Sequence, residues 1–177
     1  MFATHLLLFC RIALALIFAV SALGKARDVA AFREAIADFK LLPAGLVSAA
    51  AWGFLVGEVA VVLLMLAGGA LLGLGFVLAI VLLALFAVAL LLVLQRRIKV
   101  TCNCFGRSEQ HVSPYDVLRN LLLIGCSLLG LALVAETGAT INSAEVVLIA
   151  LMAAAFTLCV TNLADIAETL RQPFHIN

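Results

Sequence analysis

Five runs of nearly uninterrupted apolar residues, at about 5–24, 46–67, 69–94, 117–135 and 144–164, restrict what this chain can fold into more than any other feature. A helix needs about 20 residues to cross the hydrocarbon core of a bilayer, and each run is near that length. A bilayer offers no water to backbone N–H and C=O groups, so a spanning segment must satisfy them internally, as a helix does. A closed barrel would instead show apolar and polar residues alternating along each strand, and no such alternation occurs. With 66% of the 177 residues hydrophobic and 12% charged, little is left from which to build a water-soluble domain. The expected fold is all-α and polytopic, residues 1–177 forming a single integral membrane domain in the lipid bilayer. A net charge near +1 argues against a nucleic-acid partner.

The segments between the runs give the organisation. The first run lacks a basic segment before it and ends in Ser21-Ala22-Leu23-Gly24, a poor cleavage site, so it reads as a membrane helix rather than a removable leader. Residues 27–40 place Phe32, Ile36 and Phe39 at helical spacing with charges on the other side, the pattern of a short amphipathic helix in the interface. Gly68-Gly69 makes the connection between the second and third runs so short that those helices must form an antiparallel hairpin. Ser113-Pro114 opens the fourth span, with proline in the first turn where its missing N–H does no harm. Gly53 with Gly57, and Gly69 with Gly73, form GxxxG patterns that would permit close helix contact.

The polar loop 95–114 holds Cys102-Asn103-Cys104-Phe105-Gly106, two thiols one residue apart. A disulfide across a single residue closes a small, strained ring, and strain makes the bond a better electron acceptor. It would brace the chain poorly because the loop it closes is tiny. Two thiolates also suit Cu(I) or Zn(II), with His111 as a third ligand. Tetrahedral zinc wants a fourth, and no convincing one stands nearby. The preferred reading is therefore a redox pair without a metal, with His111 an ordinary loop residue or a proton acceptor for a thiol. Cys10, Cys126 and Cys159 fall inside the apolar runs, where a free cysteine behaves as a small hydrophobe.

Basic residues are divided unequally between the loops. Lys25, Arg27, Arg33 and Lys40 lie in the first, Arg96, Arg97, Lys99 and Arg107 in the third, and Arg171 in the tail. With five spans all of them share one face, which the positive-inside rule puts in the cytoplasm together with the cysteine loop. Modification of Cys102 in intact cells by a membrane-impermeant thiol reagent would reverse that assignment.

Three ionisable residues stand at costly depths. At ~1.5 Å per residue, Arg11 lies roughly 9 Å from the non-cytoplasmic end of its helix and Glu58 roughly 13 Å from the same face. The expectation is that these two meet, each lowering the cost of the other. Lys25, near the opposite interface, is the poorer partner for Glu58. The Glu58–Arg11 centre would either fix helix register or take part in proton transfer or in binding a polar head group. Arg119, beside Asn120 in the first turn of the fourth span, would either favour a thiolate at Cys102 or Cys104 or snorkel to anchor the helix end.

Taken together, these residues resemble the MauE family, grouped with DoxX-like membrane proteins. The resemblance rests on Arg11 with the later Gly24-Lys25, the amphipathic stretch ending at Pro43, Glu58 within its span, Cys102 to Gly106, and Arg119-Asn120, and it extends to about residue 135. It implies a bacterial inner-membrane protein that acts beside a thioredoxin-fold partner, MauD, in maturing the disulfide-rich small subunit of methylamine dehydrogenase. Cys102 and Cys104 would be the reactive pair. The expected architecture is a four-helix transmembrane bundle with a fifth transmembrane helix. A four-helix core with redox cysteines is also similar to the plan of DsbB and vitamin K epoxide reductase, where electrons pass from a thiol partner to quinone; by that analogy quinone is an open choice of electron sink. This chain departs from that plan in having Cys-x-Cys rather than Cys-x-x-Cys, and no second polar cysteine pair. Disulfide maturation belongs outside the cytoplasm, whereas charge places the loop inside, so either electrons cross the membrane or the charge rule fails here. The alternative of a different class is a non-catalytic assembly or scaffold subunit whose Cys-x-Cys binds copper or braces the loop.

Overall fold

The structure, a computed structural model, describes residues 2–96, 113–136 and 142–163. Among these residues every regular element is helical: α1 (Phe2–Arg27), α2 (Val29–Asp38), α3 (Ala44–Ala67), α4 (Leu72–Gln95), α5 (Pro114–Leu133) and α6 (Ser143–Thr161), with short 3-10 turns at Gly69–Leu71 and Val134–Glu136. All but α2 are long and apolar enough to cross a membrane, as the five apolar runs require.

Four spans close a ring: α1 packs on α3, α3 on α4, α4 on α5, and α5 back on α1, while α6 lies outside the ring against α1. This is the expected four-helix bundle with an added fifth helix. Helix α1 has spanning neighbours on three sides and is the most buried of the five. Its inward stripe runs Leu7, Cys10, Leu14, Ile17, Ser21 and Lys25, recurring every three or four residues as one helix face does. Facing outward are large apolar side chains such as Leu63, Leu85, Leu148 and Leu151, each more than half exposed. A helix apolar on all sides fits a lipid surround.

The short helix forms where its pattern predicts. Asp28 caps it by accepting a hydrogen bond from the Ala31 N–H at 2.9 Å, and it packs on α3 with Phe32 and Phe39 buried. The α3–α4 turn depends on Gly68 and Gly69, at φ +66° and +56°, a region that side chains disfavour. Gly68 is constrained twice, since a Cβ there would stand 2.8 Å from Arg11 Nη2. The GxxxG expectation is not met: Gly53, Gly69 and Gly73 face open space, and Gly57 alone meets a neighbour, Leu82. The tight approach occurs instead at Gly130 of α5, where the buried Phe76 ring of α4 occupies the volume a side chain would need. Helix α5 opens as expected, with Pro114 in its first turn. The Asp116 carboxylate accepts from the Ser113 backbone N–H at 2.9 Å and from its hydroxyl at 3.2 Å.

Candidate functional site

A cluster of polar side chains is enclosed within the ring. Lys25 and Glu58 are 4% and 6% exposed, so each charge has left water and needs a partner. Lys25 Nζ donates to Glu58 Oε1 in a short ion pair and to Ser21 Oγ at 2.7 Å. The Ser21 hydroxyl donates in turn to the same Glu58 oxygen at 2.9 Å. The ammonium also lies 5.1 Å from the centroid of the Phe32 ring, a cation–π contact that ties α2 to the cluster.

Glu58 therefore pairs with Lys25, and the expected Glu58–Arg11 pair is not formed. The physical reason is side-chain direction, which counting rise per residue along the axis leaves out. A helical side chain leans toward the N-terminus of its own helix. Lys25 thus reaches back into the membrane over Ser21, one turn earlier. Glu58, on the antiparallel α3, leans the opposite way and meets it. Arg11 leans away from both, toward the far end of the bundle, where Nε donates to the Met65 carbonyl at 2.6 Å and Nη2 to the Leu66 carbonyl at 3.0 Å. It caps the C-terminus of α3, where orphan carbonyls and the helix dipole favour a cation.

The opposite wall of the cluster comes from α5. Arg119 and Asn120 are buried there and share a small cavity of about 40 Å³ with Ser21, Lys25 and Glu58. Asp116 lies 3.4 Å from Arg119 Nη2, and Asn120 Nδ2 donates to the Asp116 carbonyl at 2.8 Å. Asp116 thus caps α5 and pairs with Arg119 at once. Among the described residues the second carboxylate oxygen of Glu58, Oε2, is buried without a hydrogen-bond partner.

Cys102, Cys104 and His111 lie outside the described residues. The segment that carries them leaves α4 after Arg96 and rejoins the chain at Ser113, at the end of the bundle where α1 finishes. The other cysteines are placed: Cys10 and Cys126 belong to one packed cluster at the α1–α5 contact, while Cys159 is exposed on α6. Cys126 sits twelve residues into α5, ~18 Å along its axis, far from the Ser113 end.

Of the residues singled out from the sequence, the structure brings Glu58 and Arg119 to one cavity and sends Arg11 elsewhere. Sequence reasoning missed Lys25 and Ser21 as members of the centre. The signal was present, since both fall on the same three-to-four-residue stripe as Leu7, Leu14 and Ile17. A lysine on the buried stripe of a membrane helix must find an acid.

No characterised protein and no solved structure matches this chain. The family described as methylamine utilisation protein MauE matches residues 3–135, which take in the four-helix ring and α2 and leave α6 outside. With the match covering well over half of its length, the chain belongs to the MauE family as a multi-pass membrane protein of methylamine utilisation.

Proposed function

We propose that this chain is a membrane thiol–disulfide exchange protein. In this reading Cys102 and Cys104 pass an electron pair to or from a MauD-like thioredoxin-fold protein, supporting disulfide maturation of a partner such as the methylamine dehydrogenase small subunit. The step balances within the two proteins. A partner thiolate attacks one sulfur of the Cys102–Cys104 disulfide and releases the other as thiolate. The partner's second thiolate then resolves the mixed disulfide, leaving a dithiol here and a disulfide there. His111 would accept the thiol proton, and Arg119 would stabilise the departing thiolate.

The observation that carries this reading is a buried polar cluster, with Arg119 and Asn120 in its wall, close to the point where the Cys102–Cys104 segment rejoins α5. Charged groups in a membrane core are expensive and are kept where function uses them. The test is capture of the intermediate. Cells carrying C104S or C102S with the thioredoxin-fold protein, quenched in acid, should yield a one-to-one mixed disulfide through the remaining cysteine that disappears on reduction. Failure of both single variants to form it would contradict the reading.

A further inference from the structure

An apolar cavity of about 230 Å³ lies between α2, α3 and α4, lined by Phe32, Phe39, Phe54, Phe86 and Ala89 among others. Leu85 and Val88, which also line it, are 55% and 54% exposed on the outer surface of α4. The cavity therefore opens toward lipid rather than water. The Phe54 and Phe86 rings, edge to face with centroids 6.3 Å apart, also line the polar cavity that holds Glu58, Lys25 and Arg119. The apolar space and the polar one thus adjoin at these two rings. On the polar side Glu58 Oε2 is buried without a partner, a costly condition for a carboxylate oxygen.

We propose that the two spaces together bind an uncharged amphiphile, whose hydroxyl head donates to Glu58 Oε2 while its chain passes Phe54 and Phe86 into the α2–α3–α4 cavity. The head must carry a hydrogen-bond donor, because the open valence is an acceptor. It must be uncharged, because Lys25 and Arg119 already face Glu58 and Asp116, and a further anion or cation would stand unpaired at this depth. It must also be small, given the roughly 40 Å³ available. An aliphatic lipid alcohol fits that chemistry and that space, whereas the ring of a hydroquinone needs far more than 40 Å³. The site does not depend on thiol exchange at Cys102 and Cys104, and its test does not read exchange.

The test is photolabelling of the purified full chain with diazirine-bearing decanol and its methyl ether, with diazirine-bearing decyl hydroquinone as the control for size. The decanol probe should label the peptides holding Phe54, Leu85 or Ala89 about tenfold more than its methyl ether, the worth of one hydrogen bond to a charged acceptor. Preference for the hydroquinone would overturn the size limit and with it the assignment to a lipid alcohol. Ala89→Phe, which fills the apolar cavity and leaves Glu58 in place, should remove the label. Equal labelling by decanol and its methyl ether on the wild-type chain would mean that acyl chains merely fill the cavity, and would overturn the proposal, as would no labelling by the decanol probe.

Discussion

Lys25→Met is expected to destabilise the protein by about 3–5 kcal/mol, the cost of leaving one partner of a buried ion pair alone. The replacement keeps much of the length and apolar volume of the lysine stem but removes its charge. Glu58 would then hold a carboxylate in the bundle without its ammonium partner, the Ser21 hydroxyl still donating to it. The variant would also lose the contact to Phe32 that holds α2. The double variant Lys25→Met, Glu58→Met separates the loss of a partner from the loss of a pair. Replacing both members of a buried ion pair by apolar groups is often neutral or stabilising, so the double variant should recover most of the loss. Thermal unfolding in detergent measures both. A Lys25→Met protein as stable as wild type would show that the pair does not organise the bundle. A double variant as unstable as the single would show that packing, not charge, is what Lys25 supplies.

Most of the fold was legible because the membrane leaves few alternatives. The apolar runs at 5–24, 46–67, 69–94, 117–135 and 144–164 became α1, α3, α4, α5 and α6 within a few residues, and the Phe32, Ile36, Phe39 stripe became α2. The Gly68-Gly69 hairpin followed from chain geometry alone. What was not legible was the direction and pairing of side chains. Depth along a helix axis brings Arg11 and Glu58 together; the N-terminal lean of helical side chains separates them by opposite reach and substitutes Lys25. The GxxxG patterns failed for a related reason. Spacing shows that two glycines share a face but not which face turns inward, and the intimate contact fell on the lone Gly130 against Phe76. The placing of Cys10 and Cys126 in one cluster was likewise invisible, since it depends on the rotation of α1 and α5 about their axes. Glu58 and Arg119 were legible as site residues because a charge inside an apolar run is anomalous by itself.

The second large effect concerns the cysteine pair. If Cys102 and Cys104 exchange electrons with a partner, the two sulfurs must interconvert fully between dithiol and disulfide as the redox poise of the surroundings changes. The single-residue spacing puts strain in the oxidised ring, so its potential should lie above about −270 mV, the value for thioredoxin. Either Cys→Ser change should abolish this interconversion, and with it electron exchange at the loop, while leaving the ring of α1, α3, α4 and α5 intact. Cys10, Cys126 and Cys159 should not replace it, because they lie on transmembrane helices away from the Ser113 end or face lipid.

The direct measurement is a redox titration of the purified wild-type chain in glutathione buffers, with thiols alkylated at each potential and the tryptic peptide Val100–Arg107 weighed. The account predicts a doubly alkylated peptide at reducing potentials, an unalkylated peptide lighter by two hydrogens at oxidising ones, and a single two-electron transition between them. Two alkylatable thiols at every potential, or a copper or zinc ion held by them under reducing conditions, would contradict it.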